Sequence, residues 1–354
     1  MGQQTKIDWC DASWNPVTGC LHGCGYCYAR RIAERFGGGY RHDSEPADRS
    51  WRWWRQRPDS DYDSKDLVGD HTYHANGQIH VLEDVCYSYP CKPCISPPEA
   101  DPSRKKAPYP YYFDPTFHRY RLDEPQKWKR PKNIFVCSMA DLFGEWVPMD
   151  WKIETLLACR EAPQHRYLFL TKNPIGYCLY PTEEHPLKDL PIRYDVADLY
   201  TDNMWLGVTY TGNERLPGTL FYPTDWKSRA GTGTNFWYLW RMSGAIFPFT
   251  RNKFLSIEPI SCDITEVEDE RNPGERLLNR FIYGEDRQFR LDGIYKWVIV
   301  GAESGNRKGK IIPKKEWIDK LASLCDRSGV PIFMKESLRE LMGDDFRQEF
   351  PWEV

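Results

Sequence analysis

Cys20, Cys24 and Cys27 stand in a Cys-x3-Cys-x2-Cys loop, with Tyr26 directly before the last thiol. Thiolates are the usual ligands of iron–sulfur clusters, and a short loop at this spacing can wrap them round three irons of a cubane [4Fe–4S] centre. The fourth iron then has no protein ligand. An open iron can be chelated by the amino and carboxylate groups of S-adenosylmethionine (SAM), and an electron from the cluster can split one of its carbon–sulfur bonds. Tyr26 is placed beside the adenine in this reading. The alternative is a structural zinc site in which the three thiolates recruit His22 or Cys10 as fourth ligand.

Such a loop needs a scaffold that presents it. Short, apolar, β-branched-rich runs recur at Asn133-Ile-Phe-Val-Cys137, Tyr167-Leu-Phe-Leu170, Met204-Trp-Leu-Gly-Val208, Phe254-Leu-Ser-Ile257, Trp297-Val-Ile-Val300 and Val330-Pro-Ile-Phe-Met334, and each predicts a buried strand. Helical spacing of Trp151, Leu156, Leu157 and Cys159, and of Trp317, Ile318, Leu321, Leu324 and Cys325 before Gly329, falls between them. Alternating strands and helices predict an α/β fold, a parallel sheet closed or partly closed into a TIM-type barrel. The first strand is expected at Lys6–Trp9, leading through the cysteine loop to a helix near Tyr28–Phe36 that ends at Gly37. Residues 1–39 are then the first strand, cysteine loop and first helix, and residues 113–354 the rest of the barrel, with irregular insertions near 216–252 and 262–296. Residues 40–112 form an insertion without sustained strand pattern.

Composition narrows the class. The net charge of −3 gives no global pull toward nucleic acid. No run approaches the about 18 apolar residues of a membrane span, and the start lacks the regions of a secretory signal, so a cytoplasmic location is expected. Twelve cysteines in such a chain favour metal or cluster binding over disulfides.

The three-cysteine spacing with an aromatic residue before the last thiol resembles the radical SAM superfamily. Trp14-Asn-Pro-Val-Thr-Gly-Cys20, Arg121-Leu-Asp-Glu-Pro125, Phe135-Val-Cys-Ser-Met-Ala-Asp-Leu-Phe143, Leu170-Thr-Lys172, Trp205-Leu-Gly-Val208, Leu255-Ser-Ile-Glu-Pro259 and Val300-Gly-Ala-Glu-Ser-Gly305 are similar to a phage-associated branch of radical-SAM-like proteins. The resemblance implies a partial barrel, a [4Fe–4S] cluster, SAM as cosubstrate and a reducing electron donor. It also implies a 5′-deoxyadenosyl radical that abstracts hydrogen from a substrate. Where many members carry Gly-Gly-Glu for the methionine amino group, this chain has Cys137-Ser-Met-Ala-Asp141, leaving the carbonyls of Ser138 and Met139 as acceptors. Cys137 reads as a packed core thiol, or as a hydrogen-atom donor or extra ligand.

Asp141, Lys172, Glu258 and Glu303 each follow a predicted strand and should converge over one mouth, where desolvation demands that they bind something. Glu258 or Glu303 is expected to hold SAM ribose hydroxyls or ammonium. Lys172 and Asp141 are the candidate catalytic residues, orienting SAM or substrate, unless Lys172 and Glu258 simply pair as an ion bridge. A second group, Cys86, Cys91 and Cys94 with His80, suits a zinc staple, an auxiliary iron–sulfur cluster or plain thiols. Arg119-Tyr-Arg121 and Lys127-Trp-Lys-Arg130, with Arg52, Trp53, Trp54 and Arg55, could grip a phosphate backbone, making a nucleic acid or nucleotide the candidate substrate. The rival expectation is a non-catalytic cluster or zinc protein with a binding or regulatory role toward a partner protein.

Overall fold

Seven strands lie side by side in chain order in one parallel sheet: β1 (Ala12–Trp14), β2 (Asn133–Val136), β3 (Arg166–Thr171), β4 (Met204–Thr209), β5 (Lys253–Ile257), β6 (Trp297–Val300) and β7 (Ile332–Met334). The computed structural model describes residues 5–37, 72–75, 78–81, 85–88, 92–95, 109, 113–144, 146–179, 196–211, 239, 252–269, 272–283, 294–304 and 308–353. Strands covered on both faces read as unbroken apolar runs, which is why β2 to β7 stand out in the sequence. The sheet curls into a half-barrel, so the partial α/β barrel is present. Among the described residues no helix is long and apolar enough to cross a membrane.

Helices α1 (Tyr28–Phe36), α2 (Met149–Arg160) and α3 (Lys315–Ser328) fall where the spacing predicts them. In α3, Ile318, Leu321, Ala322, Leu324 and Cys325 form the buried stripe, and Gly329 ends it in the left-handed region at φ 62°. These residues join Leu156, Ile134, Val136, Val298 and Val300 in the core between helices and sheet. Alternation sends the intervening residues to the other, concave face. There Phe135, Leu168, Trp205, Phe254, Trp297 and Phe333 make an aromatic layer. Gly207 is required in it, because a Cβ there would lie 2.2 Å from the Phe254 ring carbon Cζ.

Two chain ends seal that layer. Trp9 sits 4.5 Å from the Phe135 ring and Trp352 sits 5.2 Å from the Trp297 ring, centroid to centroid. This corrects the expected first strand. Lys6–Trp9 is the incoming cover of the concave face, and its apolar residues serve that packing; the strand itself is Ala12–Trp14, paired with Ile134–Val136.

The insertion differs from expectation as well. It holds two short antiparallel hairpins, Thr72–Ala75 with Gln78–Val81 and Val85–Ser88 with Lys92–Ile95. Cys86 stands opposite Cys94 in the second ladder and His80 opposite Tyr73 in the first. Cys91, and the side chains of Cys86, Cys94 and His80, lie outside the described residues, as do Arg52, Trp53, Trp54 and Arg55. In the third irregular stretch, Leu277, Leu278, Phe281 and Ile282 are buried in the helix-side core.

Candidate functional site

The cysteine loop leaves the carboxyl end of β1 and is clamped before it starts. Val17 and Thr18 pair antiparallel with Phe117 and Thr116, the Thr18 hydroxyl meets the buried His118 Nε2 at 2.8 Å, and the Cys20 amide donates to the Phe113 carbonyl at 3.1 Å. Gly19, at φ 88°, passes so close that a Cβ would lie 2.2 Å from the Asp114 carbonyl oxygen. On the far side, Cys27 caps α1, its Sγ accepting from the Arg30 amide at 3.4 Å, and the Arg30 guanidinium donates back to the Cys20 carbonyl at 3.3 Å.

The three thiols are free and half-buried. Burial pushes the Cys20 thiol far above its ordinary value, and Asp141, Cys24 and Cys27 add to the cost of ionising it. Burial also raises Cys27, offset in part by the Arg30 amide. Cys20 and Cys27 therefore hold their protons more tightly than a free thiol, and a positive partner would favour their ionised form. Among the described residues no three His, Cys, Asp or Glu side chains gather as ligands of one ion. A tetrahedral zinc would draw its sulfurs to within about 2.3 Å of one centre, whereas a cluster spreads them over several irons. The three thiols share one loop, and their side chains are not gathered round one centre. The fourth zinc ligands considered are engaged elsewhere: Cys10 packs with the concave aromatic layer, its thiol pushed up to about 12 by burial, and His22 is bonded to Asp141.

Asp141 is not a free group at the mouth. Its buried carboxylate accepts from His22 Nε2 at 2.7 Å, the Thr171 hydroxyl at 2.7 Å, the Lys172 amide at 2.9 Å and the Phe143 amide at 3.1 Å. Burial alone would raise its pKa, but His22 and the other donors hold it below the usual carboxylate range. With its lone pairs filled it ties the cysteine loop to the ends of β2 and β3. The Ser138 and Met139 carbonyls are also in use, accepting from the Tyr28 hydroxyl at 2.7 Å and the Gly19 amide at 2.9 Å. Cys137 is buried in the helix-side core, with burial pushing its thiol up to about 12, so of its readings the packed core thiol is the observed one.

Lys172 and Tyr26 do come together, the ammonium lying 5.4 Å from the ring centroid. Glu258 pairs with Lys335 instead of Lys172, at 2.5 Å. Lys335 was not singled out in the sequence, although it follows the β7 run directly, as Lys172 follows β3. To reach Glu258 at the end of β5 its stem crosses the end of β6 over Gly301, where a Cβ would come within 2.8 Å of Lys335 Cδ. Gly301→Val is expected to displace that stem and lower stability by about 1–3 kcal/mol in urea unfolding; wild-type stability would show that the crossing is loose. Glu303 is buried at the end of the same strand. The carboxyl end thus brings Cys20, Cys24, Cys27, Tyr26, Lys172, Glu258 and Glu303 to one edge of the sheet.

The basic stretch is largely matched with carboxylates: Arg119 with Glu154 at 2.9 Å, Arg121 with Glu124 at 2.9 Å and Lys127 with Asp123 at 2.6 Å. Trp128 packs partly buried against the helix-side core and is not a bare stacking platform. A cavity of about 700 Å³ opens at the opposite, amino end of β2 to β5, lined by Asn133, Arg166, Asn203 and Trp352 among others. Arg166 there stacks 4.0 Å from the Trp352 ring and donates to Asn133 Oδ1 at 2.6 Å. None of the sequence-predicted site residues lines it.

A family model described as a protein of unknown function (DUF5131) matches residues 4–66, 85–218 and 248–340 of the chain. No curated protein and no solved structure matches it.

Proposed function

The chain belongs to the DUF5131 family of proteins of unknown function, and from that premise we propose that it is a radical SAM enzyme, with a partial barrel of that kind. The observation that carries this reading is the placement of three half-buried thiols on one loop at the carboxyl edge of a curled parallel sheet, the edge where α/β barrels collect their active sites. With a [4Fe–4S] cluster and SAM bound there, the site would supply reductive cleavage of the sulfonium and hydrogen abstraction from a substrate. Cys20, Cys24 and Cys27 would hold the cluster, and a reducing donor would feed it.

The remaining roles belong to the chain's own groups. Tyr26 offers a ring, with the Lys172 ammonium against it, able to orient a carboxylate. Glu258, fixed by Lys335, and the buried Glu303 offer acceptors for hydroxyl or ammonium groups. Asp141 serves the loop and not the ligand.

The test is anaerobic reconstitution with iron and sulfide, then reduction in the presence of SAM. About four irons per chain and released 5′-deoxyadenosine are expected; a colourless protein with zinc or no metal would refute the proposal. The run Cys137-Ser-Met-Ala-Asp141, whose Ser138 and Met139 carbonyls each already accept one bond and whose Asp141 is engaged by His22, favours one other reading, a cluster protein with a binding or regulatory role. It would hold iron and release no 5′-deoxyadenosine.

A further inference from the structure

We infer that Asp141 is a positioning residue for the cysteine loop, acting through His22; the inference rests on the role proposed above for Cys20, Cys24 and Cys27. Of the donors to this carboxylate, the Phe143 amide, the Thr171 hydroxyl and the Lys172 amide belong to the ends of β2 and β3. The fourth, His22, lies in the turn between Cys20 and Cys24. The turn reverses through Gly23 at φ 73°, a conformation open to many alternatives, so a side-chain anchor has much to fix. The His22 ring is gripped from a second side by Trp146, edge-on at 4.8 Å and 81°. Asp141 is 5% exposed and fully bonded, so its geometry is rigid and is passed to the loop. Groups that orient the ligand-bearing segment of a metal site are commonly as decisive as the ligands.

The test uses metal-free full-length chain and follows alkylation of Cys20 and Cys24 by iodoacetamide with mass spectrometry, Cys10 serving as internal control. His22→Gln and Asp141→Asn are each expected to raise the Cys24 rate as well as the Cys20 rate by about tenfold, the effect of losing one charge-assisted hydrogen bond; a rise confined to Cys20 in Asp141→Asn would report only the lost charge beside it and overturn the inference. The double variant should be no faster than either single one, as for two halves of one interaction. Thr171→Val removes a donor from the same carboxylate on the sheet side and should raise the rates less than either, because the Phe143 and Lys172 amides still hold it. After reconstitution, His22→Gln and Asp141→Asn should also bind less iron and alter the electron paramagnetic resonance signal of the reduced protein. Unchanged alkylation in the single variants, additive effects in the double, or an equal rise in Thr171→Val would overturn the inference. If Asp141→Asn does not fold by circular dichroism, His22→Gln with Thr171→Val decides. Because the alkylation readout needs no metal, a wild-type chain that never takes up iron sinks the proposed function without deciding this result.

Discussion

Cys24→Ala is expected to lower the iron of the reconstituted chain from about four atoms to almost none and to abolish 5′-deoxyadenosine release. The loop supplies three thiols, and a cluster bound there and left with two of them would lack a corner that neither neighbouring described thiol offers: Cys10 is packed in the concave aromatic layer and Cys137 in the helix-side core. The controls follow from the same geometry. Cys10→Ser and Cys137→Ala should retain full iron, even where Cys137→Ala costs about 1 kcal/mol through the void it leaves. Iron retained in Cys24→Ala, or lost equally in Cys10→Ser, would mean that the ligand set is not the loop. Measurement of iron, zinc and visible absorbance on all three variants settles it.

Acid should loosen the same loop from behind. His118 is buried against Thr18, and burial, reinforced by the Arg121 charge, pulls its pKa down to about 4 from an ordinary value near 6.5. Below the ordinary value the unfolded chain takes up a proton that the folded chain refuses. Stability is therefore full above about pH 6.5, falls as pH drops, and by pH 4 has lost about 3 kcal/mol. Asp141, held below the usual carboxylate range, adds a loss that begins only below about pH 4. Urea unfolding from pH 7 to pH 4.5 checks this, with His118→Gln expected to flatten the slope in that window to the part that His165, also held down by burial, contributes. An identical slope in that variant would move the effect to another group.

The contrast between β1 and β2 to β7 shows what patterning can carry. The later strands are covered on both faces, so their apolar runs are visible without knowledge of their neighbours. Around β1, Lys6-Ile-Asp-Trp9 alternates like a half-buried strand because Ile7 and Trp9 pack on the concave face, while the true strand Ala12-Ser-Trp14 is only three residues long. The insertion hairpins were equally illegible, since their four-residue strands mix polar and apolar residues and none forms an unbroken apolar run.

The candidate site divides in the same way. Spacing alone selects Cys20, Cys24 and Cys27, and position after a buried run selects Lys172, Glu258 and Glu303. Partner choice was not legible. Asp141 reads as one more strand-end charge until His22, 119 positions away in sequence, closes on it. Glu258 finds Lys335, 77 positions along the chain and one strand beyond its neighbour, because Gly301 leaves the gap.

Amino-acid order thus determined which donors exist, that they share one loop, and that a parallel α/β sheet carries them. Only the tertiary structure decided which partner each charge takes. Periodic burial and ligand spacing are local properties of the chain, whereas hydrogen-bond partners are chosen by through-space distances that the curl of the sheet creates.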